Sequence, residues 1–357
     1  MILRLLSGFL LLFAVQTFSQ DTIKVVKPTI DISGYIDTYY TYEFSDKGNL
    51  KNQNFLYNYT RHNEFAVNLA LIKASINYEN VYAKIALQAG SYVQENYGNL
   101  NLFSEAYLGV YLDKNKKNSI EVGIMPSYIG FESATSHSNL TATRSILAEN
   151  SPYYMSGVKF NYQINDKLFF STNISNGWQR IEKVSKKSLP SFGTQIQYKK
   201  SENDLINWST FIGDEPNKDF IFRTRYFSNF YWDKKWNSKW RTIVGFDIGA
   251  QKRLDDSKYA VWSSPVFIAK YSLNSKWEMA YRSEYFKDKE NVIVDPIGIV
   301  PQIYIPFETL GNSLNLDFLP NSKMKIRMEG KWYHASEFIF EDKKDNFSLT
   351  TTMSFEF

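Results

Sequence analysis

From Ile30 to Phe44 the chain alternates. Ile30, Ile32, Gly34, Ile36, Thr38, Tyr40, Tyr42 and Phe44 fall on one face of an extended segment; Asp31, Ser33, Tyr35, Asp37, Tyr39, Thr41 and Glu43 fall on the other. A period of two residues is that of a β-strand with one apolar and one polar side. The final stretch, NFSLTTTMSFEF, repeats it, with Phe347, Leu349, Thr351, Met353, Phe355 and Phe357 opposite Ser348, Thr350, Thr352, Ser354 and Glu356. About sixteen such segments follow one another, starting near residues 30, 63, 80, 100, 118, 153, 167, 190, 204, 219, 238, 257, 275, 308, 322 and 347. Each is about as long as a tilted strand needs to cross a bilayer. In the second, EFAVNLALIKASINY, apolar residues sit on both faces at different ends, so its phase is ambiguous.

The connections alternate as well. One set is tight and polar (YEN, DKNKKN, IND, KKSEN, LNS, PNS); the other is longer and includes SDKGNLKNQNFLYNYTRHN, 127–152 and 288–307. Short turns at one end, long loops at the other and both termini at the short end make up the layout of an outer-membrane barrel. The expected fold is therefore all-β, a transmembrane antiparallel β-barrel of about 16 strands with short periplasmic turns and long extracellular loops. A closed barrel needs its last strand to pair with its first, because an open edge in lipid leaves backbone groups unsatisfied. A soluble sandwich has no reason to sort its loops by length and would leave half of each strand as apolar surface.

Composition agrees with this picture. The chain is 17% aromatic, yet its mean hydropathy is −0.37. No stretch of the mature chain approaches the roughly 20 apolar residues of a spanning helix. The one continuous apolar run is at the front, where Arg4 precedes a core from Leu5 to Val15, and small Thr17 and Ser19 precede a cut before Gln20. This predicts a signal peptide over 1–19 and a single barrel over 20–357, exported to the outer membrane of a Gram-negative bacterium. There are no cysteines, so disulfides are not the source of stability. A net charge of +4, or +3 without Arg4, gives no reason to expect a nucleic-acid partner.

If the apolar faces meet lipid, the polar faces line the lumen. Candidate pore-lining charges are Asp37, Glu105, Arg223, Arg225, Arg241, Asp247, Glu278, Arg282, Glu284, Lys325, Arg327, Glu329 and Lys331. Rings of such charges tune which solutes pass; pairing with one another across strands is the alternative. The long connection 127–152 is expected to fold into the lumen, with Glu132, Arg144 and Glu149 as candidate constriction charges, unless it merely covers the mouth. No metal cluster or phosphate loop is present, and no cofactor is expected.

The opening DISGYIDTYY, the block RHNEFAVNLALIKASINYENVYAKIALQAGSYV, SEAYLGVYL, VGIMPSYIGFES and SILAENSPYYMSGVKFNYQI resemble the second β-barrel porin family, the OmpL-like group of Gram-negative outer-membrane proteins. The resemblance implies passive diffusion of small hydrophilic solutes through a monomeric or oligomeric barrel, with no catalytic residues. The terminal Phe357 resembles the signal read by the barrel assembly machinery. Outer-membrane lipid and a second copy of the chain complete the expected partners. A barrel with a closed lumen, acting as adhesin or receptor through NQNFLYNY and VIVDPIGIVPQIYIPFE, is the alternative. A catalytic barrel would need a serine near a histidine, and none of His62, His137 and His334 accompanies a G-x-S-x-G motif.

Overall fold

A computed structural model describes residues 27–45, 51, 53–97, 102–185, 188–216, 221–253, 258–296 and 305–357. The expected signal peptide lies outside the described residues, as does part of the connection 288–307. The strands are β1 (Thr29–Glu43), β2 (Phe65–Tyr78), β3 (Val81–Ala89), β4 (Phe103–Tyr111), β5 (Asn118–Pro126), β6 (Tyr154–Gln163), β7 (Leu168–Ser175) and β8 (Ser191–Ser201). They continue as β9 (Asp204–Pro216), β10 (Phe222–Lys235), β11 (Trp240–Lys252), β12 (Tyr259–Ser272), β13 (Trp277–Asp288), β14 (Phe307–Asn321), β15 (Met324–Ala335) and β16 (Asp345–Glu356). Each pairs antiparallel with the next, and β16 returns to β1, so the sheet is a closed barrel. Every strand starts within a few residues of its expected place. The short connections, such as 79–80, 202–203 and 322–323, all lie at one end, with the start of β1 and the end of β16; the long connections after β1, β5 and β13 leave from the other.

Side-chain alternation decides which face is which. Ile30, Ile32 and Ile36 on β1, Leu108 on β4, Trp208 on β9, Leu314 on β14 and Met353 on β16 are exposed on the outer surface. Tyr35, Asp37, Tyr39, Thr41 and Glu43 on the alternate face of β1 are buried inside. An apolar band of this kind is tolerable only against hydrocarbon. No helix among the described residues is long and apolar enough to cross a membrane. Aromatic residues mark both edges of the band. Tyr78, Tyr162, Tyr198, Trp240 and Trp277 stand at the short-turn end; Tyr42, Phe65, Tyr226, Tyr259 and Phe347 stand at the other.

The ambiguous second segment contains a β-bulge. Asp37 of β1 faces Leu69, but Thr38 faces Val67, so Asn68 is the extra residue and the phase flips there. Phe65 and Val67 point out before it, while Leu69, Leu71 and Lys73 point in after it. Gly90 backs this bulge with φ of 134°, and a Cβ on it would overlap the Asn68 carbonyl. The first bend of the wall therefore depends on a residue without a side chain.

Closure has its own packing device. Gly34 and Phe357 exchange backbone hydrogen bonds of 3.0 and 3.1 Å, the last pair of the β1–β16 seam. The Phe357 ring lies over Gly34, where a Cβ would overlap it. Gly34→Leu should therefore expel the ring and weaken the seam, costing about 1–3 kcal/mol as overpacking does elsewhere. A lower urea midpoint of the refolded barrel, read by the heat-sensitive gel mobility of folded against unfolded chain, is the expected outcome. An unchanged midpoint would count against this role for the terminal aromatic.

Candidate functional site

After Pro126 the chain does not arch over the rim but turns down into the barrel. The Tyr128 hydroxyl donates to the Thr210 carbonyl at 2.8 Å, and Gln195 and Ser209 both donate to the Tyr128 carbonyl at 2.9 Å. Gly130 N–H donates to Asn229, and the Phe131 ring fills the space left by Gly245 on β11. A 3-10 turn at Ser136–Ser138 then reaches towards the short-turn end. There Arg327 donates to the carbonyls of Ser136 and Asn139 at 2.8 and 3.1 Å, and Lys325 to that of His137 at 2.5 Å. The chain climbs back along β13 to β15, with Ala142 N–H on Asn315, Thr143 N–H on Glu329 and Ile146 N–H on Glu284. This internal loop is thus fastened to the inner faces of β8 to β11 and β13 to β15, and at Ser136 it also meets Tyr35 and Asp37 of β1.

Arg282 is the centre of the attachment. It has no exposed surface, and its guanidinium donates to the Thr141 hydroxyl, the Thr143 carbonyl and the Thr143 hydroxyl at 2.8, 2.7 and 3.0 Å. Three carboxylates surround it: Glu329 at 3.1 Å, Glu284 at 3.2 Å and Glu132 of the loop at 3.9 Å. An uncompensated charge in such a place is prohibitive, and a planar fork of five donors is the cation best able to serve several acceptors at once. Burial pushes the Glu132 carboxyl above its usual range, while nearby Arg282 pulls it back and the amide and hydroxyl of Ser145 donate to it. A second clamp, Arg327 on Asp317, is bidentate at 2.8 and 2.9 Å.

The other two loop charges look the opposite way. Glu149 accepts from the amides of Tyr57 and Asn58 and from the Tyr153 hydroxyl, so it ties the internal loop to the first long loop. The Arg144 guanidinium lies 3.8 Å from the centre of the Tyr153 ring and donates to the Ala148 carbonyl. In the first loop, the Tyr59 hydroxyl donates to Asp37 at 2.7 Å.

These contacts sort the charges expected on the pore wall. Arg282, Glu284, Arg327, Glu329, Lys331, Asp37 and Asp247 are buried and face protein rather than water. Arg225 is also buried, held to Gln251 and near the Trp178 and Trp262 rings. Arg241 with Asp233, Glu278 with Lys270, and half-buried Arg223 keep partial access to solvent. Glu105 is paired with Lys73 at 2.6 Å. Lys325 is occupied by the His137 carbonyl.

What remains open lies on the other side of the loop. A cavity of about 540 Å³ lies between the loop and β1 to β4, beside the Ser136 contact with β1, and is lined by Tyr35, Lys73, Gln88, Glu105, Glu132 and Arg144. It extends to Lys323 and Glu356 at the short-turn end. Lys73 is missing from the expected lining because the bulge at Asn68 hides the phase of β2. The inward aromatic residues are missing too. Phe211, Phe227, Trp262, Phe286 and Tyr333 stand on nominally polar faces and pack with Phe55, Ile146, Phe307 and Phe340 into an apolar cluster inside the barrel. The signal for them is in the sequence: they interrupt the polar phase where it should have been hydrophilic. His334, on the outer face, pairs with Asp345 at 2.9 Å beside Trp332.

Residues 29–357 match the family described as "Putative beta-barrel porin-2, OmpL-like". The chain belongs to that family. Among solved structures the fold is similar to the anion-selective porin from Comamonas acidovorans, with a TM-score of 0.62 at 8% identity, covering 93% of this chain and 100% of that one. It is also similar to Salmonella typhi OmpF, solved in complex with daunomycin, with a TM-score of 0.61 at 10% identity and coverage of 92% and 97%. The trimer form of Vibrio cholerae OmpT gives 0.61 at 10% identity, with coverage of 92% and 99%. Identities this low establish a shared porin fold. No curated protein matches the chain.

Replacing Arg282 with Met removes the one cation shared by three buried carboxylates, a change that typically costs about 3–5 kcal/mol. The loop should detach before the barrel opens, because the strand ladder is untouched. Trypsin should then cut the folded variant at Arg144, a site buried in the parent protein. Resistance of the folded variant at that bond would show that Arg282 does not hold the loop.

Proposed function

We propose that this outer-membrane barrel, as a member of the OmpL-like porins, passes small hydrophilic solutes by passive diffusion through a lumen narrowed by the internal loop 127–152. The observation that carries the reading is the uneven attachment of that loop. It is fastened along β8 to β11 and β13 to β15 and meets β1 through Ser136, and a polar cavity is left between the loop and β1 to β4. Lys73 and Glu105 are then the charges a solute meets, while Glu132 and Arg144 border the cavity from buried positions and Arg282, Glu284, Arg327 and Glu329 act as the loop's anchors. A narrow passage with paired charges favours small solutes and a modest ion preference. Export by the expected signal peptide, with its cleavage before Gln20, and assembly directed by Phe357 fit the same reading. So does association into oligomers, since the Vibrio OmpT neighbour has a trimer form.

A barrel closed at rest, working as an adhesin or receptor, is the second reading. The apolar cluster formed by Phe55, Phe307, Tyr333, Phe340 and their neighbours favours it, because an apolar constriction excludes water and ions.

Single-channel recording of the refolded mature protein in a planar bilayer distinguishes the two. Diffusion through a narrowed lumen predicts small, stepwise and long-lived conductance. In a salt gradient, Lys73→Glu should move the reversal potential towards cation preference, because it replaces a positive with a negative charge at the cavity wall. Silence from folded protein would favour the closed reading, and an unmoved reversal potential would take the passage away from Lys73.

A further inference from the structure

The two ends of the barrel differ in charge. Beside or within every short turn after the first stands a lysine: Lys117, Lys167, Lys200, Lys239, Lys276 and Lys323 are all exposed there. Exposed Asp31, Glu79 and Asp166 stand at this end too but are outnumbered by these lysines, and other acidic residues here are engaged. Asp113 accepts the amides of Asn115 and Asn118 in its own turn, Glu202 pairs with Lys199 at 2.7 Å, and Asp204 pairs with Lys234 at 3.2 Å. The long-loop end mixes both signs, as in Glu337, Glu341, Asp342, Lys343, Lys344 and Asp345.

The lysines also coincide with the aromatic edge of the membrane band. The Lys234 ammonium lies 4.4 Å from the centre of the Trp236 ring and 5.3 Å from that of Trp232, and Lys239 lies 5.9 Å from Tyr271. Trp240 packs on Tyr271 and Trp277 on Phe318 along the same edge. Lys200 follows Tyr198, and Lys276 precedes Trp277. Tryptophan and tyrosine settle at headgroup level, and lysine stems lie along apolar surface while the ammonium reaches the polar layer. Lys234 and Lys239, which lie over these rings, are therefore placed near headgroup level, and the other short-turn lysines stand at the same end of the barrel.

We propose that the short-turn rim is a docking surface for anionic glycerophospholipid headgroups of the periplasmic leaflet, selected over zwitterionic ones by this lysine ring. The attraction is electrostatic, acts close to the surface and is screened by salt. It is independent of what crosses the lumen, so it stands or falls separately from the transport reading. By fixing the barrel's depth at one leaflet, such a ring would keep the short-turn end from sliding into the hydrocarbon.

The belt tryptophans provide the readout. The protein is reconstituted in phosphatidylcholine vesicles containing about 30% phosphatidylglycerol, with brominated acyl chains on one lipid or the other. Mole for mole, brominated phosphatidylglycerol should quench tryptophan fluorescence at least about twofold more than brominated phosphatidylcholine, and roughly 0.5 M salt should bring the ratio to about one. The combined variant Lys200→Gln, Lys239→Gln and Lys276→Gln should lower the ratio at low salt. Equal quenching by the two lipids, or a ratio that salt leaves unchanged, would overturn the proposal with the unaltered protein alone. An undiminished ratio in a variant whose gel mobility shows it folded would overturn it as well.

Discussion

In hydrocarbon no water is present to satisfy a backbone amide or carbonyl, and the architecture of this protein is a response to that constraint. It demands that β16 pair with β1, and they do so from Tyr35 opposite Glu356 to Glu43 opposite Ser348. Once the sheet is closed, the pleat leaves each strand with one face towards lipid and one towards the interior. The outer apolar and inner polar alternation then follows, as does the placement of glycine where a ring or carbonyl must approach the wall, as at Gly34 and Gly90.

Closure at sixteen strands creates a second requirement. A ring of this size encloses more space than the side chains on its wall can fill. Here the space is occupied unevenly. The internal loop and first loop bring Ile146, Phe55 and Leu56 against Phe211, Phe227, Trp262 and Phe286, while backbone groups of the loop meet Glu284, Glu329, Asn315 and Arg327. Arg282 helps to make that arrangement tolerable by attracting carboxylates from the loop and two strands at once. A polar network of this kind is stable only when its members are satisfied together, so the loop's position is set by the network as a whole. The narrowed polar space beside β1 to β4 is its consequence.

The sequence made the barrel legible because period-two alternation and the sorting of loop lengths are properties of each strand and each turn. The sixteen segments could be placed to within a few residues, including the closing strand. The lumen was less legible. Alternation says that Arg282 and Arg327 point inward, but not whether water or a loop meets them, since that depends on contacts such as Thr143 with Glu329, far apart in the chain. Lys73 was hidden by the extra residue at Asn68, which shifts the register of a single strand. Trp262 and Phe227 interrupt the polar phase, but alternation does not reveal that they stack on each other and that Phe227 meets Trp178 from the connection after β7.

The central claim is that the loop divides the lumen into an open side and a sealed side. The chain has no native cysteine, so single cysteines can report on each side separately. Ser104 lines the cavity, whereas Ser313 on β14 is buried behind the loop. The most direct measurement compares the rates at which a small charged thiol reagent modifies Ser104→Cys and Ser313→Cys in the folded barrel. The account predicts fast modification at 104 and protection at 313; equal rates at the two positions would contradict it.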